Sequence, residues 1–185
     1  DSRNRIHMSF NRSEKNLLNI HKDIISELFD KDLSIRLRNN CYECSFSFKE
    51  LSQYLNNHPL PRDSLTLETV PQLLAIVPIN NLIYFNQHNN HPAAIFSKRY
   101  NYVQDLATAK SPVELIQKIN NCPFGPLERF IFYGDQENYY LYFHVDKFIS
   151  GLEEKTIKFN RQLFVPPYFQ VNYNNLGYYV IDVQK

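Results

Sequence analysis

Apolar positions recur at helical spacing in the N-terminal part of the chain and at strand alternation in the C-terminal part. From Asn11 or Ser13, with Glu14 in the first turn, Leu17, Leu18, His21, Ile24, Ile25 and Leu28 return every three or four residues, predicting an amphipathic helix over about 13–29. His21 sits on its apolar side without a ligand partner one turn away. Leu33, Ile35, Leu37, Tyr42, Cys44 and Phe46 then alternate with Ser34, Arg36, Glu43 and Ser45 around Asn39-Asn40. Asn tolerates the positive φ of a type I′ turn, so this alternation predicts a hairpin over 33–48 with Arg36 opposite Glu43.

Ser47-Phe48-Lys49-Glu50 has the spacing of a capping box and predicts a short helix to Asn56 with Phe48, Leu51, Tyr54 and Leu55 facing inward. Thr69-Val70-Pro71 opens a further helical segment carrying Leu73, Leu74, Ile76 and Val77, a run that a buried strand would also fit. Leu82–Phe85 reads as a strand and 86–92 as a loop. Ser111-Pro112-Val113-Glu114 starts another helix, ending at Asn120-Asn121. Beyond Pro126 the pattern becomes strand-like: 127–133 and 139–145 flank Gly134-Asp135-Gln136-Glu137-Asn138, then 156–159 follows, then 168–173 and 178–183 around Asn174-Asn175-Leu176-Gly177. The expected fold class is α+β, a single domain with an antiparallel sheet (C-terminal hairpins plus the hairpin 33–48) packed by three or four short helices.

Length adds a bound: 185 residues suffice for one core, and no linker-like stretch divides them. Residues 1–7 precede the sole methionine, Met8, and read as a leftover ahead of a native start, leaving 8–185 as the expected domain. The chain is 43% hydrophobic and 21% charged, which describes a folded protein, and its net charge of +1 gives no bulk attraction to nucleic acid or anionic lipid. Three cysteines without disulfide-like spacing, no signal peptide and no long apolar run point to a cytoplasmic protein, or one delivered into a host cytosol without a signal peptide. Only 4 glycines stand beside 21 asparagines, so Asn takes over turn-making; with the Ile, Lys and Tyr usage this suggests an AT-rich, bacterial coding source.

The chemistry-bearing motifs are sparse. The absence of a glycine-rich phosphate loop argues against nucleotide enzymes of the common kinds, and no cofactor is expected. Cys41 and Cys44 form a CxxC and His88 and His91 an HxxH, the right number of ligands for zinc but without a second close pair to support it, so no metal is expected. The order Cys41, His144, Asp182 resembles, in residue types alone, that of papain-like peptidases and transglutaminases, where a thiolate attacks a carbonyl, histidine shuttles the proton and the acid orients the ring. No family motif surrounds either cysteine. The predicted strand also argues against the triad, because it puts Cys41 and Cys44 on opposite faces and away from a helix N-terminus, and Cys122 before Pro123 reads as structural.

What remains is aromatic density: 13 Tyr and 14 Phe, many on the C-terminal strands. One face of a sheet suffices for a core, so tyrosines on the other face suit an interface, being apolar at one end and hydrogen-bonding at the other. Tyr140, Tyr142, Tyr178 and Tyr179 are the candidate binding residues. Together these features favour a non-enzymatic protein–protein interaction module, an adaptor, chaperone-like subunit or effector/immunity-type protein. The partner would be another protein rather than a membrane, nucleic acid or small-molecule cofactor; a thiol-dependent hydrolase or transferase built on Cys41, His144 and Asp182 is the alternative.

Overall fold

The computed structural model describes residues 41–88, 95–147, 149, 151–175 and 177–184. The chain divides into two compact units, Asp1–Phe48 and Lys49–Lys185. The first is described only where helix α1 begins, so the predicted helix 13–29 and the first hairpin arm, 33–40, lie outside the described residues. The second unit is α+β, as its sequence pattern implies.

Helix α1 spans Cys41–Asn57, and this corrects one expectation: residues 41–48 are helical rather than the second arm of a hairpin. The reason is a competing period. Cys44, Phe48, Leu51 and Leu55 repeat at spacings of four, three and four, a helical stripe overlaid on the strand-like alternation. Leu51 and Leu55 are buried.

The sheet has strands β1 (Leu65–Leu67), β2 (Leu127–Gly134), β3 (Asn138–Lys147), β4 (Gly151–Asn160), β5 (Phe169–Asn175) and β6 (Tyr178–Val183). Their order is β4-β3-β2-β6-β5, all neighbours antiparallel, while β1 joins the first half of β2 in parallel. β2 and β3 pair only at Tyr133↔Tyr140 and Gly134↔Tyr139, beside their connecting turn. Farther from the turn the gap between them holds β1 and the segment 81–87, which bridges Thr66 to Asn81 and Asn86 to His144. The strand expected at Leu82–Phe85 is thus an irregular filler held at its ends, with His144 N–H donating to Phe85 O and Gln87 N–H to His144 O, each at 2.8 Å.

Helices α2 (Leu73–Ile76), α3 (Phe96–Ala107) and α4 (Pro112–Asn120) and a 3₁₀ turn at Arg161–Leu163 are the other elements among the described residues. α4 begins as its sequence dictates: the Ser111 hydroxyl accepts the Glu114 N–H at 3.2 Å and Pro112 occupies the first turn. α3 has no such signature, because it starts after Ile95 in a left-handed conformation, φ 50°, with no side-chain cap.

Strand alternation gives the sheet two different faces. Phe130, Phe132, Tyr139, Leu141, Phe143, Phe159, Tyr179 and Ile181 share one core with Phe96, Val103, Leu106, Leu115, Ile116 and Ile119 of α3 and α4. Between them in sequence, Ile131 and Val180 point to the opposite face and are also fully buried. That face meets α1: Asn175 Nδ2 donates to Glu50 Oε2, the Tyr54 and Tyr173 rings lie 5.1 Å apart, and Arg129 Nη1 donates to His58 O at 2.7 Å.

Candidate functional site

On the α1 side of the sheet, cross-strand partners form one continuous row. Asn175 of β5 is opposite Tyr178 of β6, Tyr178 opposite Tyr133 of β2, Tyr133 opposite Tyr140 of β3, and Tyr140 opposite Lys158 of β4. Tyr142, two residues farther along β3, extends it. Tyr133, Tyr140, Tyr142 and Tyr178 are all half-buried, each presenting part of an aromatic side chain to solvent. The Tyr133 and Tyr178 rings meet edge to face at 5.0 Å, and those of Tyr140 and Tyr142 stack at 6.4 Å. Gly177 lets Tyr133 lie where it does, since its φ is +85° and a Cβ there would come within 3.3 Å of the Tyr133 ring.

The turn after β2 fixes Tyr140. Asp135 Oδ1 accepts the N–H groups of Glu137 and Asn138, both at 2.8 Å, closing the turn, while Oδ2 accepts the Tyr140 hydroxyl at 2.7 Å. Burial pushes the Tyr140 phenol up, and the adjoining Asp135 carboxylate adds to it, bringing it to about 12. Burial alone would raise Asp135, but the bonds from Tyr140, Asn138 and Glu137 and the charge of Lys158 outweigh it and hold the carboxyl below its ordinary range.

Of the four predicted binding residues, Tyr140, Tyr142 and Tyr178 share this surface, and Tyr179 does not. It is only 8% exposed and belongs to the opposite core, its ring 5.0 Å from Tyr139 and under the Arg161 guanidinium at 4.6 Å. Adjacent strand residues point to opposite faces, so Tyr178 and Tyr179 form no common surface. Tyr133 takes the vacant place in the row. The turn 134–138 is its sequence signal, because closing it brings Tyr133 opposite Tyr140.

Of the residues proposed for thiol chemistry, His144 and Asp182 lie on different strands with different partners. Cys41 and Cys44 lie on α1, so the strand geometry that separated them is absent. His144 on β3 rests edge-on against Phe85 at 5.8 Å, and its Nε2 approaches Glu154 at 4.0 Å. Asp182 on β6 is committed elsewhere: its oxygens accept Arg129 Nε at 2.6 Å and Nη2 at 3.0 Å, a two-pronged pair, and Asn172 Nδ2 at 2.8 Å. His144 and Asp182 are not brought together, and Asp182 instead anchors Arg129, which holds the C-terminal end of α1. Cys122 is half-buried beside a groove of about 530 Å³ formed with Ile116, Ile119, Leu127, Tyr168 and Val183, without a histidine in its wall. His88 is exposed and 3.8 Å from Asp146, and His91 lies outside the described residues. Among the described residues no group of three His, Cys, Asp or Glu side chains is arranged to hold a metal.

Compared with known proteins, the chain matches no family model and no curated sequence. Among the described residues, no helix is long and apolar enough to cross a membrane.

One buried acid has no part in any of these arrangements. Glu68, just past β1, is 1% exposed; its Oε1 accepts Asn81 Nδ2 at 2.6 Å and its Oε2 accepts the Val70 N–H. Burial, only partly offset by the Val70 bond, raises its pKa to about 8. Asn81 Oδ1 is buried without a hydrogen-bond partner.

Proposed function

We propose that this protein is a non-enzymatic protein–protein interaction module, an adaptor, chaperone-like subunit or effector/immunity-type protein of bacterial origin, that binds its partner through the Tyr178–Tyr133–Tyr140–Tyr142 row. The observation supporting this reading is the row itself. Four tyrosines on adjacent strands remain half-buried on one face, whereas the phenylalanines of the same strands are fully enclosed on the other. Tyrosine brings large contact area with few rotamers and a polar end, the combination that interfaces concentrate. Lys158 at the end of the row and Asp135 behind Tyr140 supply charge at its margin, where polar groups set orientation more than affinity.

A photo-crosslinking residue placed at position 142 in cells of the native host tests the reading, with position 113 on α4 as the control, since Val113 is 45% exposed and far from the row in the fold. The expected result is one discrete protein adduct at 142, competed away by unlabelled wild-type protein and lost in Tyr140→Ala. The same diffuse pattern from both positions would sink the proposal. The thiol-enzyme alternative has a separate readout. One cysteine alkylated far faster than the other two at neutral pH would favour it, and three uniformly slow cysteines would end it.

A further inference from the structure

Among the described strands β4 and β5 are the two edges of the sheet, and they differ. The β5 ladder shifts between Val171 and Tyr173, an irregularity of the kind that blunts an edge strand. β4 pairs with β3 at ten consecutive positions without a shift, and among the described residues no strand pairs with its outer side. Glu154, Lys155, Thr156 and Lys158 of β4 are exposed.

The charges of β4 are arranged unequally. On the face shared with the α3/α4 core, Glu153 and Lys155 satisfy each other within the strand at 2.8 Å. On the face of the tyrosine row, Glu154 and Lys158 are four residues, or about 13 Å, apart along the strand and out of each other's reach. Among the described residues Lys158 forms no ion pair, its charge reaching Asp135 at longer range, and Glu154 has the 4.0 Å approach to His144.

We propose that β4 pairs antiparallel with β4 of a second copy of this chain about a two-fold axis at Thr156, so that Glu154 of each copy stands opposite Lys158 of the other. Charged side chains on an edge strand ordinarily discourage pairing. Here their order selects one register. Pairings centred on Glu153, Glu154, Lys155 or Lys158 set like charges directly opposite one another, and one centred on Ile157 leaves Glu154 facing Asn160. Only the Thr156-centred register converts both unmatched charges into cross-strand pairs, twice over by symmetry. Tyr142 is the β3 neighbour of Thr156, so this pairing continues the tyrosine rows of two copies on one face. The inference concerns a second copy and stands independently of the partner bound by the row.

Sedimentation equilibrium of the full chain at low salt, over a concentration series, tests it. The expected result is a mass rising from 22.0 kDa toward twice that value. Lys158→Glu and Glu154→Lys should each weaken association at least about tenfold, and the double variant, which restores opposite charges, should recover it. Thr156→Cys should give a disulfide-linked dimer under mild oxidation, mapped to Cys at 156 in both copies, because residues facing each other in such a ladder lie within bridging distance. A chain that stays monomeric throughout, association indifferent to Lys158→Glu, or a double variant no better than the singles would overturn the proposal.

Discussion

On the α3/α4 face of the sheet, Phe132 lies 5.1 Å from Tyr139, 5.3 Å from Phe159, 5.2 Å from Phe164 and 5.5 Å from Phe130, a continuous set of ring contacts with hardly a polar atom inside. On the α1 face the same strands bury Arg129 with Asp182, and in the gap between β2 and β3 Glu68 lies with Asn81. The first region gains from area removed from water and from close packing, terms that do not respond to pH. The second depends on charge and hydrogen bonding, and every member must be satisfied or it costs stability. The comparison teaches that one sheet joins a half held by apolar packing to a half held by charge and hydrogen bonds, divided by the alternation of side chains along its strands.

The contrast is broken most severely from the apolar side. Phe132→Ala should destabilise by about 3–5 kcal/mol, because it removes the ring at the centre of four contacts and leaves a cavity. Urea unfolding should show the loss unchanged between pH 5 and pH 8. On the polar side, Asp182→Ala strands Arg129, which is 5% exposed, and should cost on the order of 3 kcal/mol. Asp182→Asn should recover part of that in the same assay.

Glu68→Gln is expected to act in the opposite direction and only at higher pH. The folded-state pKa, about 8, lies above the ordinary value of 4.5, so between these pH values the folded protein holds a proton that the unfolded chain has released. The stability from Glu68 is therefore complete below about pH 4.5 and declines as pH rises to about 8. Gln carries no charge to desolvate, and with the Asn81 amide turned end for end its Nε2 can donate to Asn81 Oδ1 while its Oε1 keeps the Val70 N–H. The variant should match wild type near pH 5 and exceed it by on the order of 3 kcal/mol at pH 8. Equal pH slopes for the two proteins would refute the assignment. The smallest effect is expected from Tyr140→Phe, about 1 kcal/mol. The depressed Asp135 contributes stability that is lost as pH falls through its folded-state pKa, and losing the Tyr140 hydroxyl should move that acid limb to higher pH in a thermal-melt series.

Where local chemistry and tertiary packing agree, the elements are legible in the sequence. Ser111, Pro112 and Glu114 announce α4, and the turn Gly134–Asn138 is set by the Asp135 carboxylate that closes it. Residues 41–48 misled because their alternation coincides with the stripe Cys44, Phe48, Leu51, Leu55, and local pattern does not decide between the two periods. α3 carries Phe96, Tyr100, Val103 and Leu106 at helical spacing, yet nothing capped at Ile95 marks its start. Within the candidate surface Tyr140, Tyr142 and Tyr178 are accessible to reasoning from composition and alternation. Placing Tyr133 with them, and removing Tyr179, requires the register of three strands. The engagement of Asp182 by Arg129, 53 residues earlier, lies beyond any local pattern.

The insertion of β1 between β2 and β3 has a consequence for the order of assembly. β3–β4 and β5–β6 are neighbours in sequence and close short loops, whereas Leu65 and Leu127 meet in parallel across roughly sixty intervening residues that include α2, α3 and α4. That contact bears the largest loop-closure entropy among the strand pairings and gains its compensation only after β2 has a partner. The wedge is thus expected to lock late in folding, leaving a transient species in which the two hairpins are formed and the cleft between β2 and β3 is still open.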